Sequence, residues 1–182
     1  MARRLFKVRF ELDPSDCHGT GSELLWAAPA ADPGTFELQN SPFHATGVSY
    51  LDIVAARPAE DSSTFNFERV IRRSRHSTYM ILLNPDDPAA QACWRQLKEM
   101  GCSHESAQMG TSVGAHTLYS VDVPPTADHA KVYDVLTAGE LDGTWRFQTA
   151  CDARTMPSSA GQSLSRNCDG RISTAPCRSS SA

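Results

Sequence analysis

Strict two-residue alternation at the start of the chain is the feature that most limits its fold. In "FKVRFEL", Phe6, Val8, Phe10 and Leu12 point one way while Lys7, Arg9 and Glu11 point the other. Similar short runs follow at intervals of about ten residues, each closed by a turn signal. "SELLWAAP" ends in proline, Asp32-Pro33-Gly34 marks a turn, and "TFELQN" leaves it as a third strand. "GVSYLDIVAARP" reads as a fourth, opened by Gly47 and closed by Pro58, and "STFNFERVIRR" alternates again through Phe65, Phe67 and Val70. Five short strands over residues 1–75 predict a small antiparallel β-barrel of SH3-like size.

The pattern then changes. "STYMILLN" reads as a buried strand, after which Asp87 can cap a helix that begins at Pro88. Ala90, Cys93, Trp94, Leu97 and Gly101 share one helical face, and Gly101 suits the stop. "CSHESAQM" and "HTLYSVDVPP" form a hairpin around the glycine-rich "MGTSVGAH". Thr126 can cap a second helix with Val132, Tyr133 and Leu136 on one face, and "TWRFQTA" closes after Gly143. The order β-α-β-β-α-β predicts a ferredoxin-like unit over residues 76–152, which makes the expected class α+β. Residues 153–182 hold eight serines and no periodicity, the composition of a disordered C-terminal tail.

Charge bounds the partners. The 182 residues carry a net charge of −4, and with +3 in residues 153–182 the remainder carries −7. An acidic body suits a basic protein partner and argues against nucleic acid. No apolar run approaches the ~20 residues that span a bilayer, so no membrane partner is expected. The start "MARRLFKVRFELD" lacks the apolar segment of a secretion signal, and Cys17, Cys93, Cys102, Cys151, Cys168 and Cys177 form no C-x-x-C pair. The expectation is a cytoplasmic protein with reduced thiols.

The segments "SELLWA", "NSPFHATGVSYLDIV", "HSTYMILL", "LKEMGC", "VDVPPTAD" and Gly143-x-Trp145 resemble, in matching order, an uncharacterised bacterial domain-of-unknown-function family. The resemblance spans residues 5–150 and implies a bacterial, cytoplasmic protein. It carries no activity and no catalytic residue. Where the family has an acidic, proline-containing loop after the first strand, this chain has "PSDCHGTG", so Cys17 and His18 anchor no function.

Residue patterns for chemistry are sparse. Cys17-His18, Cys102-x-His104-Glu105 and Cys151-Asp152 are the tight groupings of metal-ligating types; Cys102 and His104 would share a strand face, yet no second pair has ligand spacing. His76 and Ser77 are strand neighbours pointing to opposite sides, and no G-x-S-x-G elbow occurs. "HGTGSE" lacks the lysine and helix of a phosphate loop. No metal, cofactor or catalytic residue is assigned.

Two candidate binding sites remain. In "NSPFHATG", Phe43 and His44 can form an aromatic patch with Trp26 and Tyr50; the competing reading is that Phe43 plugs the barrel end and His44 is merely solvated. In "RRSRHS", alternation puts Arg73 and Arg75 on one side and Arg72, Ser74 and His76 on the other, with Arg75-His76 at the junction of the two halves. Clustered guanidinium groups bind carboxylate or phosphate. They can equally be spent on Asp61, Glu68 or Asp86-Asp87 as surface pairs. The leading functional expectation is a non-catalytic protein-interaction, immunity or regulatory module whose partner is another bacterial protein, with a basic surface. The alternative is a sensor of an anionic metabolite that depends on Arg75, and the third an enzyme with His76 as general base.

Overall fold

A computed structural model of the chain describes residues 4–13, 21–60, 64–109 and 116–155. The first strands are β1 (Phe6–Glu11), β2 (Ser22–Pro29), β3 (Thr35–Leu38), β4 (Ile53–Pro58) and β5 (Thr64–Arg72), and they close into a barrel. Consecutive strands pair antiparallel, but β1 closes on β5 in parallel, through Lys7↔Thr64, Val8↔Phe65 and Arg9↔Asn66. The expected all-antiparallel barrel is corrected here for a simple reason. In an up-and-down run of five strands the first and last point the same way, so closure between them must be parallel.

The alternation in β1 does what it predicts, sending Val8 and Phe10 into a core with Leu25, Ala27, Phe36, Leu38, Val54 and Ala56. Phe6 meets Phe36 and Phe65 edge-on, and Phe10 stacks on Phe67 with ring centres 4.5 Å apart. Each such side chain, fully buried, contributes about 1.5–3 kcal/mol. The expected fourth strand begins six residues late, at Ile53 rather than Gly47. Gly47 and Leu51 both sit in the left-handed region, with φ of 73° and 62°, and break the extended run. Residues 40–52 therefore form a long loop, and it is Ala45 and Val48 of this loop that join the barrel core.

The second sheet comprises β6 (Ser77–Leu83), β7 (Ser103–Met109), β8 (His116–Val123) and β9 (Trp145–Cys151), with α1 (Pro88–Glu99) after β6 and α2 (His129–Leu141) after β8. Its order is β7-β8-β6-β9, with antiparallel pairing throughout. Central β6 is buried along almost its whole length. Tyr79, Ile81 and Leu83 enter the core formed with α1 and α2, while the Thr78 hydroxyl reaches Ser49 of the long loop at 3.0 Å. Asp87 caps α1 by accepting from Ala89 N–H at 2.9 Å, Pro88 opens the helix, and Gly101 at φ 91° follows its end. The cap of α2 is Asp128, not Thr126, because residues 124–127 are closed in a turn by the Ala127 N–H to Pro124 carbonyl bond. The buried face of α2 is Val132, Leu136 and Gly139; Tyr133 lies to one side, against Tyr79 and Phe147. Trp145 packs on Gly139 and donates its indole N–H to the Leu136 carbonyl at 2.9 Å.

Among the described residues no helix is long and apolar enough to cross a membrane. Cys17-His18, Asp61, most of "MGTSVGAH" and residues 156–182 of the expected tail lie outside the described residues.

Candidate functional site

The long loop is the seam between barrel and second sheet, and polar atoms hold it on both sides. Toward the barrel, the Glu23 carboxylate accepts from three consecutive backbone groups, Phe43, His44 and Ala45 N–H, at 2.7, 3.0 and 2.7 Å. Toward the second sheet, Ser41 N–H donates to Glu105 at 2.9 Å, Gly47 N–H to the Ala150 carbonyl at 2.8 Å, and the Ser120 hydroxyl to the Pro42 carbonyl. At the centre lies Asp52, 1 % exposed. It accepts from Ser49 N–H at 3.1 Å, Ser74 N–H at 2.6 Å and the Arg73 guanidinium at 3.2 Å. A buried carboxylate is tolerable only with such partners.

Around this centre the "RRSRHS" residues part company. Arg72 is exposed and lines a shallow depression with Asp32, Thr35 and Glu37. Arg73 turns inward, to Asp52 and the Gly47 carbonyl. Arg75 is exposed and has a φ of 69°, a left-handed kink that ends the alternation on which the two-sided reading of 72–76 rests. His76 places Nδ1 2.8 Å from Asp122 Oδ1, and its ring meets Tyr50 edge-on with centres 5.5 Å apart. A carboxylate can only accept, so Nδ1 carries the proton and Nε2 is the ring's other edge. The expected pairings are corrected: Glu68 pairs with Arg57 at 3.9 Å and Asp87 caps α1, while the seam uses Asp52 and Asp122.

Ser77, next to His76, is tied instead to His129. His129 Nε2 lies 3.1 Å from the Pro124 carbonyl and so carries the proton, leaving Nδ1 to accept from the Ser77 hydroxyl at 3.1 Å. Ser77 Oγ also accepts from Ala153 N–H at 3.0 Å and has no exposed surface. This serine–histidine pair pins the start of α2 to β6 and is closed to a substrate.

Phe43 and His44 are half-buried, and their backbone, held by Glu23, is what fixes the loop. Of this loop it is Ala45 and Val48 that are buried in the barrel core, beside the half-buried Phe43 from which a plug was expected. The expected patch of Trp26, Phe43 and Tyr50 does not form around shared ring contacts: Tyr50 turns to His76, and Trp26 faces outward under Lys7. Cys102 precedes β7 and is buried; that burial, then the Asp122 charge, pushes its thiol up to about 11. His104 stacks on Tyr119 with ring centres 3.9 Å apart and meets Trp94 at 4.3 Å. Among the described residues no three His, Cys, Asp or Glu side chains gather as metal ligands.

The outer barrel face across β1 and β2 is a second concentration of chemistry. Antiparallel register sets Lys7 opposite Trp26 and Arg9 opposite Leu24. Trp26 is 46 % exposed, Leu24 41 % and Leu5, just before β1, 45 %. The Lys7 ammonium sits 4.9 Å from the Trp26 ring centre, a cation–π contact. Leu24 shares the parity of Trp26 in "SELLWAAP", a signal legible in the sequence, whereas the facing cations emerge only from the strand register.

Residues 23–147 match the family model of a domain of unknown function, DUF4265. No curated protein matches the chain. A solved structure, described as a novel crystal structure of a hypothetical protein from Neisseria gonorrhoeae, is similar at 20 % identity and a TM-score of 0.62, covering 83 % of this chain and 96 % of that one. At that identity the likeness establishes a common fold.

Proposed function

The chain belongs to the DUF4265 family, and we propose that it is a non-catalytic protein-interaction module that grips an acidic segment of another bacterial protein on the outer face of its barrel. The observation that carries this reading is the set of cross-strand pairs Lys7–Trp26 and Arg9–Leu24, two cations facing two large exposed apolar side chains. Tryptophan and arginine are the side chains most often found at the energetic centre of protein interfaces. Whole-chain charge points to a basic partner, but the strand pair that would meet it is locally basic, with Lys7 opposite Trp26 and Arg9 opposite Leu24. Local charge governs register and encounter, so an acidic, apolar-bearing segment complements this face. In this reading the second sheet, residues 76–152, is a ferredoxin-like unit that braces the barrel of residues 1–75. The order β7-β8-β6-β9 with split β-α-β crossovers supports that description. A cytoplasmic setting fits the free thiols of Cys93, Cys102 and Cys151.

A peptide-display selection on the intact chain, counter-selected on Trp26→Ser and Lys7→Glu variants, tests the proposal. Enriched peptides should combine Asp or Glu with Leu or Phe and bind with micromolar Kd, about −8 kcal/mol. Both substitutions should abolish binding without lowering the melting temperature. Peptides that bind wild type and variants alike, or a binding signal abolished by nuclease, refute it.

A further inference from the structure

Left-handed backbone in residues other than glycine occurs at two positions among the described residues, Leu51 and Arg75. Both adjoin one ring pair: Leu51 follows Tyr50, Arg75 precedes His76, and the Tyr50 and His76 rings meet at 5.5 Å and 82°. Such backbone is unfavourable for any residue with a Cβ and persists only where its surroundings enforce it. Here Asp52 ties the two positions together: its backbone N–H and its carboxylate close the Ser49–Asp52 turn that contains Leu51, and the same carboxylate accepts from Ser74 N–H, next to Arg75. The His76 ring is doubly fixed, by Asp122 at Nδ1 and by the Tyr50 edge, while its backbone N–H donates to the Ser74 hydroxyl at 3.2 Å. Its side chain is 12 % exposed, and Nε2 has no hydrogen-bond partner among the described residues. Arg73 turns inward and donates from Nη1 to Asp52 and Gly47, whereas exposed Arg75 forms no ion pair among the described residues, in a chain where acids outnumber bases 21 to 17.

We propose that His76 and Arg75 form a binding site for a small oxyanion, a carboxylate or a phosphate, at the seam between barrel and second sheet. Arg75 supplies the charge and a planar fork of donors. His76 supplies one oriented contact at Nε2, which accepts from a protonated acid group when the ring is neutral and donates to the anion when it is charged. Asp122 holds the other nitrogen in both forms, so the ring keeps its orientation. The site is independent of the Trp26 face, and either can fail without the other.

The test uses the full chain with histidine and tyrosine side chains isotopically labelled, titrated separately with inorganic phosphate and with succinate. The His76 Cε1–H and Tyr50 ring resonances should move saturably with at least one of them. Arg75→Gly, which suits the left-handed backbone and keeps the fold, should weaken that response by about tenfold or more. His76→Gln should abolish the response at Tyr50. A response to phosphate alone assigns a phosphoryl ligand, and one to succinate alone a carboxylate. Resonances unmoved by either probe well above millimolar concentration, or an affinity unchanged in Arg75→Gly, overturn the proposal.

Discussion

Asp52→Ala removes one carboxylate and strands three donors at once, which makes it the sharpest probe of the seam. Truncating one member of a buried ion pair costs about 3–5 kcal/mol, because the partner's charge is left unpaired. The freed Arg73 side chain is 26 % exposed, so water screens part of that loss and the pair alone should sit at the lower end, about 3 kcal/mol. Ser49 is fully buried, and its orphaned N–H adds about 1–3 kcal/mol, whereas half-buried Ser74 can turn to water. These losses share one desolvation, so they are not summed; the expected total is about 3–5 kcal/mol. That is a large share of the roughly 5–15 kcal/mol that holds a typical domain together. At about 2–4 °C per kcal/mol for a chain of this size, the melting temperature should fall by roughly 10 °C. Urea unfolding followed by circular dichroism gives the same quantity, with an unchanged denaturant slope showing that cooperativity survives. Arg73→Met added to Asp52→Ala should cost less than Arg73→Met alone, since the charge it removes is already unpaired. A loss below about 1 kcal/mol, the scale of a surface pair, would refute the reasoning that the seam is dry and closed around Asp52.

Gly139→Ala inverts a general rule: the change normally gains about 1 kcal/mol within a helix. Here the new methyl would land on the Trp145 indole, so a loss of about 1–3 kcal/mol is expected in urea unfolding, and a gain would mean that Trp145 packs elsewhere. His104 is held below its ordinary value of 6.5 by burial first and by the Lys98 charge second. Between that lowered value and 6.5 the folded chain binds fewer protons than the unfolded one, so stability rises with pH through this window and is lost on acidification. His104→Phe, which keeps the ring on Tyr119, should flatten the fall in melting temperature between about pH 7 and 5; an unchanged slope refutes the assignment.

What was legible in the sequence was local. The period of two in β1 and β2, and the Asp87-Pro88 start and Gly101 stop of α1, depend on neighbours within one turn or one pleat. The seam depends on contacts twenty to a hundred residues apart. Leu51 turns left-handed inside a local turn, closed by the Asp52 N–H to Ser49 carbonyl bond, but the Asp52 carboxylate is held by Arg73 and Ser74, and no window around "VSYLDIV" contains those two residues. A lone aspartate in that apolar run was nonetheless a visible sign, since a carboxylate among core residues needs a distant cation or N–H group. The grouping of Arg73 with Arg75 failed for the same reason: alternation assumes extended backbone, and Arg75 is not extended. Trp26 could be assigned to the outer face from parity alone, but its pairing with Lys7 required the register of β1 on β2.

The way the long loop is completed has a consequence for a chain made from its N-terminus. Glu23 is available to the loop as soon as the barrel is synthesised, but Glu105, Ser120 and Ala150 emerge much later. The loop at 40–52 thus waits for β9, the last of the described strands in chain order, before the Gly47 N–H finds the Ala150 carbonyl. A chain cut short before β9 would show its defect a hundred residues upstream, as protease cleavage within the 40–52 loop, while the strands of the barrel stayed paired.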